Sequence, residues 1–191
     1  MFLMMEGAWE AGRRLAHTDC ERLLAGIARG DQEALGEFYQ ATDRAIYAYA
    51  LSLTRSHHDA QDVMMETYLK IRSAAHLYQP CGKPMAWVFT IVKNLVRDQQ
   101  RRAGREELMG DCPEGELALP ETDRSDEAMV LRQAMRLLGP EERQIVLLHA
   151  VSGLKHREIA AMLERPLSTV LSKYHRALAK LKAALLAGEE V

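Results

Sequence analysis

The chain has 191 residues, 48% of them hydrophobic and 27% charged, with a formal net charge of −2. That composition suits one domain or two small ones with buried cores, and it excludes a uniformly basic nucleic-acid binder. The three cysteines, Cys20, Cys81 and Cys112, are far apart and form no CxxC pair, so neither a disulfide framework nor a zinc module is expected and a reducing cytoplasm fits.

No window approaches the ~18 apolar residues of a membrane span, and the initial MFLMM runs directly into Glu6, too soon for a signal-peptide core. The expectation is a cytoplasmic protein without membrane insertion. Six prolines and few β-branched runs point to an all-α fold. Residues 1–18 form an N-terminal extension with little pattern of its own.

From Asp19 the helical signal begins. Asp19 can cap a helix carrying Leu23, Leu24 and Ile27, which Gly30 ends. Asp31 can cap the next, with Ala34, Leu35, Phe38 and Tyr39 inward. Thr42 or Asp43 is read as opening a third, with Ile46, Tyr47, Ala50, Leu51 and Leu53, which Arg55–His58 closes. A fourth, over 59–77, turns Val63, Met64, Tyr68, Leu69 and Ile71 inward and holds Asp59, Asp62 and Glu66 outward, near the helix N-terminus where the dipole favours acids. The segment 78–84, with two prolines and a glycine, must be a loop. It leads into a helix over 85–102 in which Val88, Ile91, Val92 and Leu95 make an apolar stripe. The other side carries Lys93, Asn94, Arg97, Arg101 and Arg102.

Residues 103–128 read differently. Nine acids stand against Arg105 and Arg124, a net of −7, which leaves +5 for the remainder. With three glycines and two prolines this is expected to be a flexible acidic linker, with boundaries near 103–125, between a domain over 19–102 and a second over 126–188. A solubilising spacer and a nucleic-acid mimic screening the basic helices both fit it.

In the second domain Ser125 can cap a helix through Leu138. Gly139-Pro140-Glu141-Glu142 starts another, with proline at the first helical position and acids in the first turn. The last two helices are 155–163 and one beginning near Ser168, read as its cap, with the break at Glu164-Arg165-Pro166. In the final helix Val170, Tyr174, Ala177, Leu178 and Leu181 form the buried stripe. Ser168, Ser172, His175 and Arg176 lie opposite, with Thr169 and Lys173 at the flank. A short helix, a tight turn and a cationic second helix make a helix-turn-helix pattern, whose second helix enters a DNA major groove. A plain helical hairpin with a solvated basic face has the same pattern.

The stretches 30–39, 59–68 and 86–98 together resemble region two of bacterial sigma factors of the extracytoplasmic-function (ECF) branch. The stretches 138–143, 153–161 and 168–177 are similar to their region four. The likeness covers roughly 20–102 and 126–186, in family order. It implies a dissociable subunit, not an enzyme, that gives core RNA polymerase its promoter choice and starts transcription. Region two is then expected to open the −10 element and dock on the polymerase clamp helices through Asp59, Asp62, Val63 and Glu66. Asn94 would hold a flipped −10 base beside the loop 78–84, with Lys93, Arg97, Arg101 and Arg102 on phosphates. Region four is expected to touch the polymerase flap and to read the −35 element with Arg165, Ser168, Thr169, Ser172, Lys173 and Arg176.

The resemblance implies no cofactor and no metal, and it makes an anti-sigma factor a candidate partner. Where the family commonly has glutamine, lysine and a capping Ser or Thr, this chain has Met65, Leu171 and Lys155. Two other readings stand beside this one. One is a free-standing helix-turn-helix regulator with a helical sensor domain; the other is a metal-assisted hydrolase using His57, His58, Asp59 and Asp62.

Overall fold

The computed structural model describes residues 17–102 and 133–188. The first half holds α1 (His17–Ala28), α2 (Gln32–Thr54), α3 (His57–Ala74) with a short 3₁₀ turn over Ala75–Leu77, and α4 (Pro84–Arg102). The second holds helical residues 133–136, then α5 (Pro140–Ala150), α6 (His156–Leu163) and α7 (Leu167–Gly188). No strand occurs among the described residues. None of the described helices is long and apolar enough to cross a membrane. The whole acidic stretch, the start of the helix expected from Ser125 and the extension before residue 17 lie outside the described residues.

Local chemistry explains most boundaries. The Asp31 carboxylate accepts from the Glu33 and Ala34 backbone N–H groups and starts α2. Arg55, in the left-handed region at φ 58°, ends it. The Ser56 hydroxyl caps α3 by accepting from the Asp59 N–H. Lys155 has no side-chain acceptor and does not cap α6. Glu158 compensates by reaching back to the Lys155 N–H at 2.8 Å, half of a capping box.

Three sequence expectations are corrected. No helix opens at Thr42 or Asp43, because α2 runs unbroken through both. The buried Thr42 hydroxyl donates to the Phe38 carbonyl one turn earlier at 2.6 Å and meets the Tyr68 hydroxyl at 2.9 Å, so it is satisfied inside the helix. His17 and Thr18 are already helical, which places Asp19 within α1 rather than at its cap. Helix α7 starts at Leu167, and the Pro166 carbonyl takes the first bonds from Thr169 and Val170, leaving Ser168 exposed in the first turn.

The core of the first half centres on Phe38, Ile46, Tyr49, Val63, Ile71, Val88, Phe89 and Val92, all essentially inaccessible. Tyr49 and Phe89 meet edge to face at 5.2 Å. The second half does not keep its apolar residues to itself. Helix α5 buries four consecutive residues, Ile145 to Leu148, which no single helix face can do. Val146 and Leu147 join Met135, Leu138, Ala177 and Leu181 in a cluster of the second half. Ile145 and Leu148, with Leu154, Ile159 and Met162, join the cluster around Phe38 and Val92. Helix α5 packs on α2, and α6 on α4, so the halves meet through an apolar layer where separate cores were expected. The reason is size: helices of 11 and 8 residues are too short to cover both of their apolar sides alone.

Candidate nucleic-acid interface

Helix α4 begins with Pro84, whose fixed φ and missing N–H suit a first helical position. Met85, Val88, Phe89, Val92, Leu95 and Val96 are buried, which fixes the helix rotation and sends Asn94, Arg97, Arg101 and Arg102 to the solvent. Arg101 is held to Asp98 at 2.7 Å, one turn back. The amide of Asn94 can pair with a base edge, and the arginines form a cationic row beyond it.

Lys93 behaves otherwise. Its ammonium donates to the Met162 carbonyl at 2.9 Å and lies 3.3 Å from Glu164. These groups form the C-terminal end of α6, where unpaired carbonyls and the helix dipole attract a cation. The residue expected on a −10 phosphate therefore faces the second half in this structure.

The loop before α4 is tied down. The Tyr78 hydroxyl and the Gly82 N–H both donate to Oε1 of Glu21 on α1, at 3.0 and 2.8 Å. The Tyr78 ring lies 5.4 Å from that of Trp87. Sequence reasoning did not single out Glu21, because a partner 57 residues away leaves no local periodic trace.

On α7, Val170, Ala177 and Leu181 are buried, and Ser168, Ser172, His175 and Arg176 are exposed, as the helical wheel requires. Thr169 is half-buried at the flank. Arg165 and Lys173 both reach one carboxylate, that of Glu141, at 3.0 and 2.9 Å. The Lys173 amine, with the Arg165 guanidinium beside it, holds the Glu141 carboxyl below its usual range against the opposing effect of burial. Glu142 pairs with Lys180 at 2.7 Å in the same way, and also accepts from the Gly139 N–H. The two acids of the α5 first turn, legible as dipole partners, thus also anchor three cations around the last helix.

The outer face of α3 carries Asp62 exposed, and Asp59 and Glu66 partly so. Met65 and Leu69 stand beside them, 55% and 64% exposed. Val63 departs from the expectation: it is wholly buried in the line Ala60, Val63, Thr67, Ile71 and offers no surface to a partner. Across from α3, Glu66 and Lys70 share a small cleft with Leu95, Asp98, Gln99 and Arg102 of α4.

The residues named for a metal-assisted hydrolase do not converge. His58 leans on Asp62 at 3.3 Å, while His57 Nδ1 is bonded to the Tyr47 hydroxyl at 2.6 Å. Among the described residues no group of three or more His, Cys, Asp or Glu side chains is placed to hold a metal.

Comparison with known proteins places both halves. Residues 38–106 match the family pattern described as Sigma-70 region 2, and residues 128–181 that described as Sigma-70, region 4. The ECF RNA polymerase sigma factor SigE of Mycolicibacterium smegmatis is 34% identical over 161 residues, 78% of this chain and 62% of that relative. The ECF RNA polymerase sigma factor EcfG of Rhodopseudomonas palustris is 29% identical, over 74% of this chain and 79% of the relative. The ECF RNA polymerase sigma factor SigK of Mycobacterium tuberculosis is 27% identical, over 88% and 94% respectively. The chain therefore spans less than two thirds of SigE's length but most of the other two.

Among solved structures, CnrH in complex with the cytosolic domain of CnrY superposes with a TM-score of 0.60 at 27% identity, covering 88% of this chain and 98% of that one. The sigma factor RpoE in complex with the anti-sigma factor NepR from Bartonella quintana gives 0.60 at 26%, covering 78% and 96%.

Proposed function

The chain belongs to the ECF branch of the sigma-70 family, and from that premise we propose that it is a promoter-specificity subunit that binds core RNA polymerase in the cytoplasm and directs initiation without catalysing a reaction itself. The observation that carries this reading is the pair of outward polar helix faces. Asn94, Arg97, Arg101 and Arg102 lie on one half, and Ser168, Ser172 and Arg176 on the other, each backed by a buried stripe.

In this reading α4 opens and holds the −10 element. Capturing an unstacked base offsets part of the few kcal/mol that opening costs. Asn94 supplies the base-edge contact and the arginines neutralise phosphates. Helix α7 reads the −35 groove, where Arg176 can bond guanine and Thr169 can touch a thymine methyl. Arg165 and Lys173 approach the same DNA from the flank. The acidic face Asp59, Asp62 and Glu66, with Met65 and Leu69 beside it, takes the polymerase clamp, and the second half takes the flap. The similar sigma factor RpoE, solved with the anti-sigma factor NepR, makes such a protein a candidate partner here.

The two DNA elements are centred about 25 base pairs apart, on the order of 85 Å at ~3.4 Å per pair. Lys93 on one half touches Met162 on the other at 2.9 Å, so the packed arrangement cannot serve both elements at once. Residues 19–102 and 126–188 then act as two modules that separate on the polymerase, which releases Lys93 for a phosphate.

The test is reconstitution with core polymerase lacking any sigma subunit, and sequencing of transcript 5′ ends made on genomic DNA. Starts clustered behind a shared pair of sequence elements are expected, and Asn94→Ala should weaken promoter opening while leaving polymerase affinity intact. Absence of polymerase binding, or operator binding by the chain alone at physiological salt, would overturn the reading in favour of a free-standing regulator.

A further inference from the structure

Glu21 sits half-buried on α1, a helix held to the core by Leu23, Leu24 and Ile27. One of its carboxylate oxygens accepts both the Tyr78 hydroxyl and the Gly82 N–H, from a loop 57 to 61 residues further along. Burial, and secondly the bond to Glu21, push the Tyr78 phenol up to about 12, so it remains a donor at any physiological pH. The Tyr78 ring is also braced against Trp87 of α4. Gly82 adopts φ +71°, a left-handed backbone that other residues rarely take, and this aims its N–H at the carboxylate. The loop is thus pinned near both ends, while Gln79, Pro80, Cys81 and Lys83 stay exposed between and beside the pins. A loop with few apolar contacts keeps one shape only if such bonds fix it.

From this we infer that Glu21 is a positioning residue for base preference at the −10 element: it touches no DNA, and acts by fixing the shape in which the loop 78–84 is presented beside Asn94. The inference rests on the proposed placement of that loop at the −10 element. The bonds are charge-assisted, so their loss releases the loop without disturbing α1, whose attachment is apolar.

The experiment uses the full chain with core polymerase and a library of promoters carrying every single-base change in the −10 element. Glu21→Ala is expected to retain polymerase affinity and −35 preference while discrimination among the −10 variants falls about tenfold. Glu21→Gln, whose amide oxygen can still accept both bonds, is expected to restore most of it. Hydrogen exchange at the Gly82 amide should accelerate at least about tenfold in Glu21→Ala alone. Faster exchange with an unchanged preference profile, or a uniform weakening on all promoters, reduces Glu21 to a structural tether and overturns the inference. No initiation by the wild-type chain from any promoter would overturn the functional reading, and this inference with it.

Discussion

Neutralising Glu141 isolates the electrostatic design of the last helix. Glu141→Gln preserves shape and removes the charge that holds Arg165 and Lys173. The Arg165 side chain is 56% exposed, so its ion pair contributes at most about 1 kcal/mol to stability. Lys173, at 28%, is more enclosed, and its contribution is of similar order. Folding should survive the change. DNA binding should not remain the same. In the wild type a phosphate has to compete with the carboxylate for both cations; in the variant both are free. Each added phosphate contact steepens the dependence of log affinity on log salt by about 0.9, so the slope should grow by up to about 2. The assay is fluorescence anisotropy of the full chain on a labelled −35 duplex and on a scrambled one, across a salt series. Affinity for the scrambled duplex should rise several-fold at low salt while the ratio between the two falls, because phosphates carry no sequence information. Parallel salt slopes for the two proteins, with melting confirming that both are folded, would refute the idea that Glu141 restrains these cations.

Other outcomes follow from single contacts. A Cβ on Gly26 would lie 2.8 Å from that of Ala34, so Gly26→Ala should destabilise the α1–α2 contact in urea unfolding, although alanine is the better helix former by about 1 kcal/mol. Thr42→Val strips the buried Tyr68 hydroxyl of its partner and should cost about 1–3 kcal/mol, most of it recovered in the double variant with Tyr68→Phe. His156 is held below its ordinary value by burial, and then by His149 and His175, with the neutral Tyr174 also facing it. The folded chain therefore binds this proton less readily than the unfolded chain. Stability should be level above the ordinary histidine value of about 6.5 and fall as pH drops through it. The loss should be smaller in His156→Phe, measured by thermal melts at several pH values.

The local features were legible because they are one-dimensional. The stripe on α4 repeats with the helical period, Asp31 stands where a cap must stand, and Gly139-Pro140 marks a helix start. Val63 was also separable from its acidic neighbours. It continues the line Ala60, Thr67, Ile71 at helical spacing, whereas Asp59, Asp62 and Glu66 do not. Thr42 misled because threonine serves equally as a cap and as a buried donor to the preceding turn, and only Tyr68, 26 residues away, decides between them. Pro166 took the cap of α7 from Ser168 through a backbone carbonyl, a role that residue type does not advertise. The pairing of Lys93 with the end of α6 joins positions 69 residues apart and leaves no sequence pattern at all.

One clue to the packing of the halves was nevertheless present. The run Ile145-Val-Leu-Leu148 puts apolar side chains all round a short helix, which is stable only when neighbours lie on both sides. Two of those residues face the cluster of the second half and two face the first. The layer between the halves is therefore part of what keeps α5 buried in the free chain, and the proposed function requires another surface to cover Ile145 and Leu148 if the halves are to separate on promoter DNA. In that reading the polymerase, which has to hold the second half, is the partner that would cover them. The segment between the described halves, 103–132, has about thirty residues, and at ~3.3 Å each it spans at most about 100 Å, more than the distance the two promoter elements demand. Chain length thus permits the separation, and the free energy of polymerase contact has to drive it. Ile145→Ala separates these contributions. It should weaken the packing of the halves in the free chain, and it should also weaken polymerase binding if the same residue is covered there. Weaker packing with tighter polymerase binding would mean that Ile145 serves only the packed form.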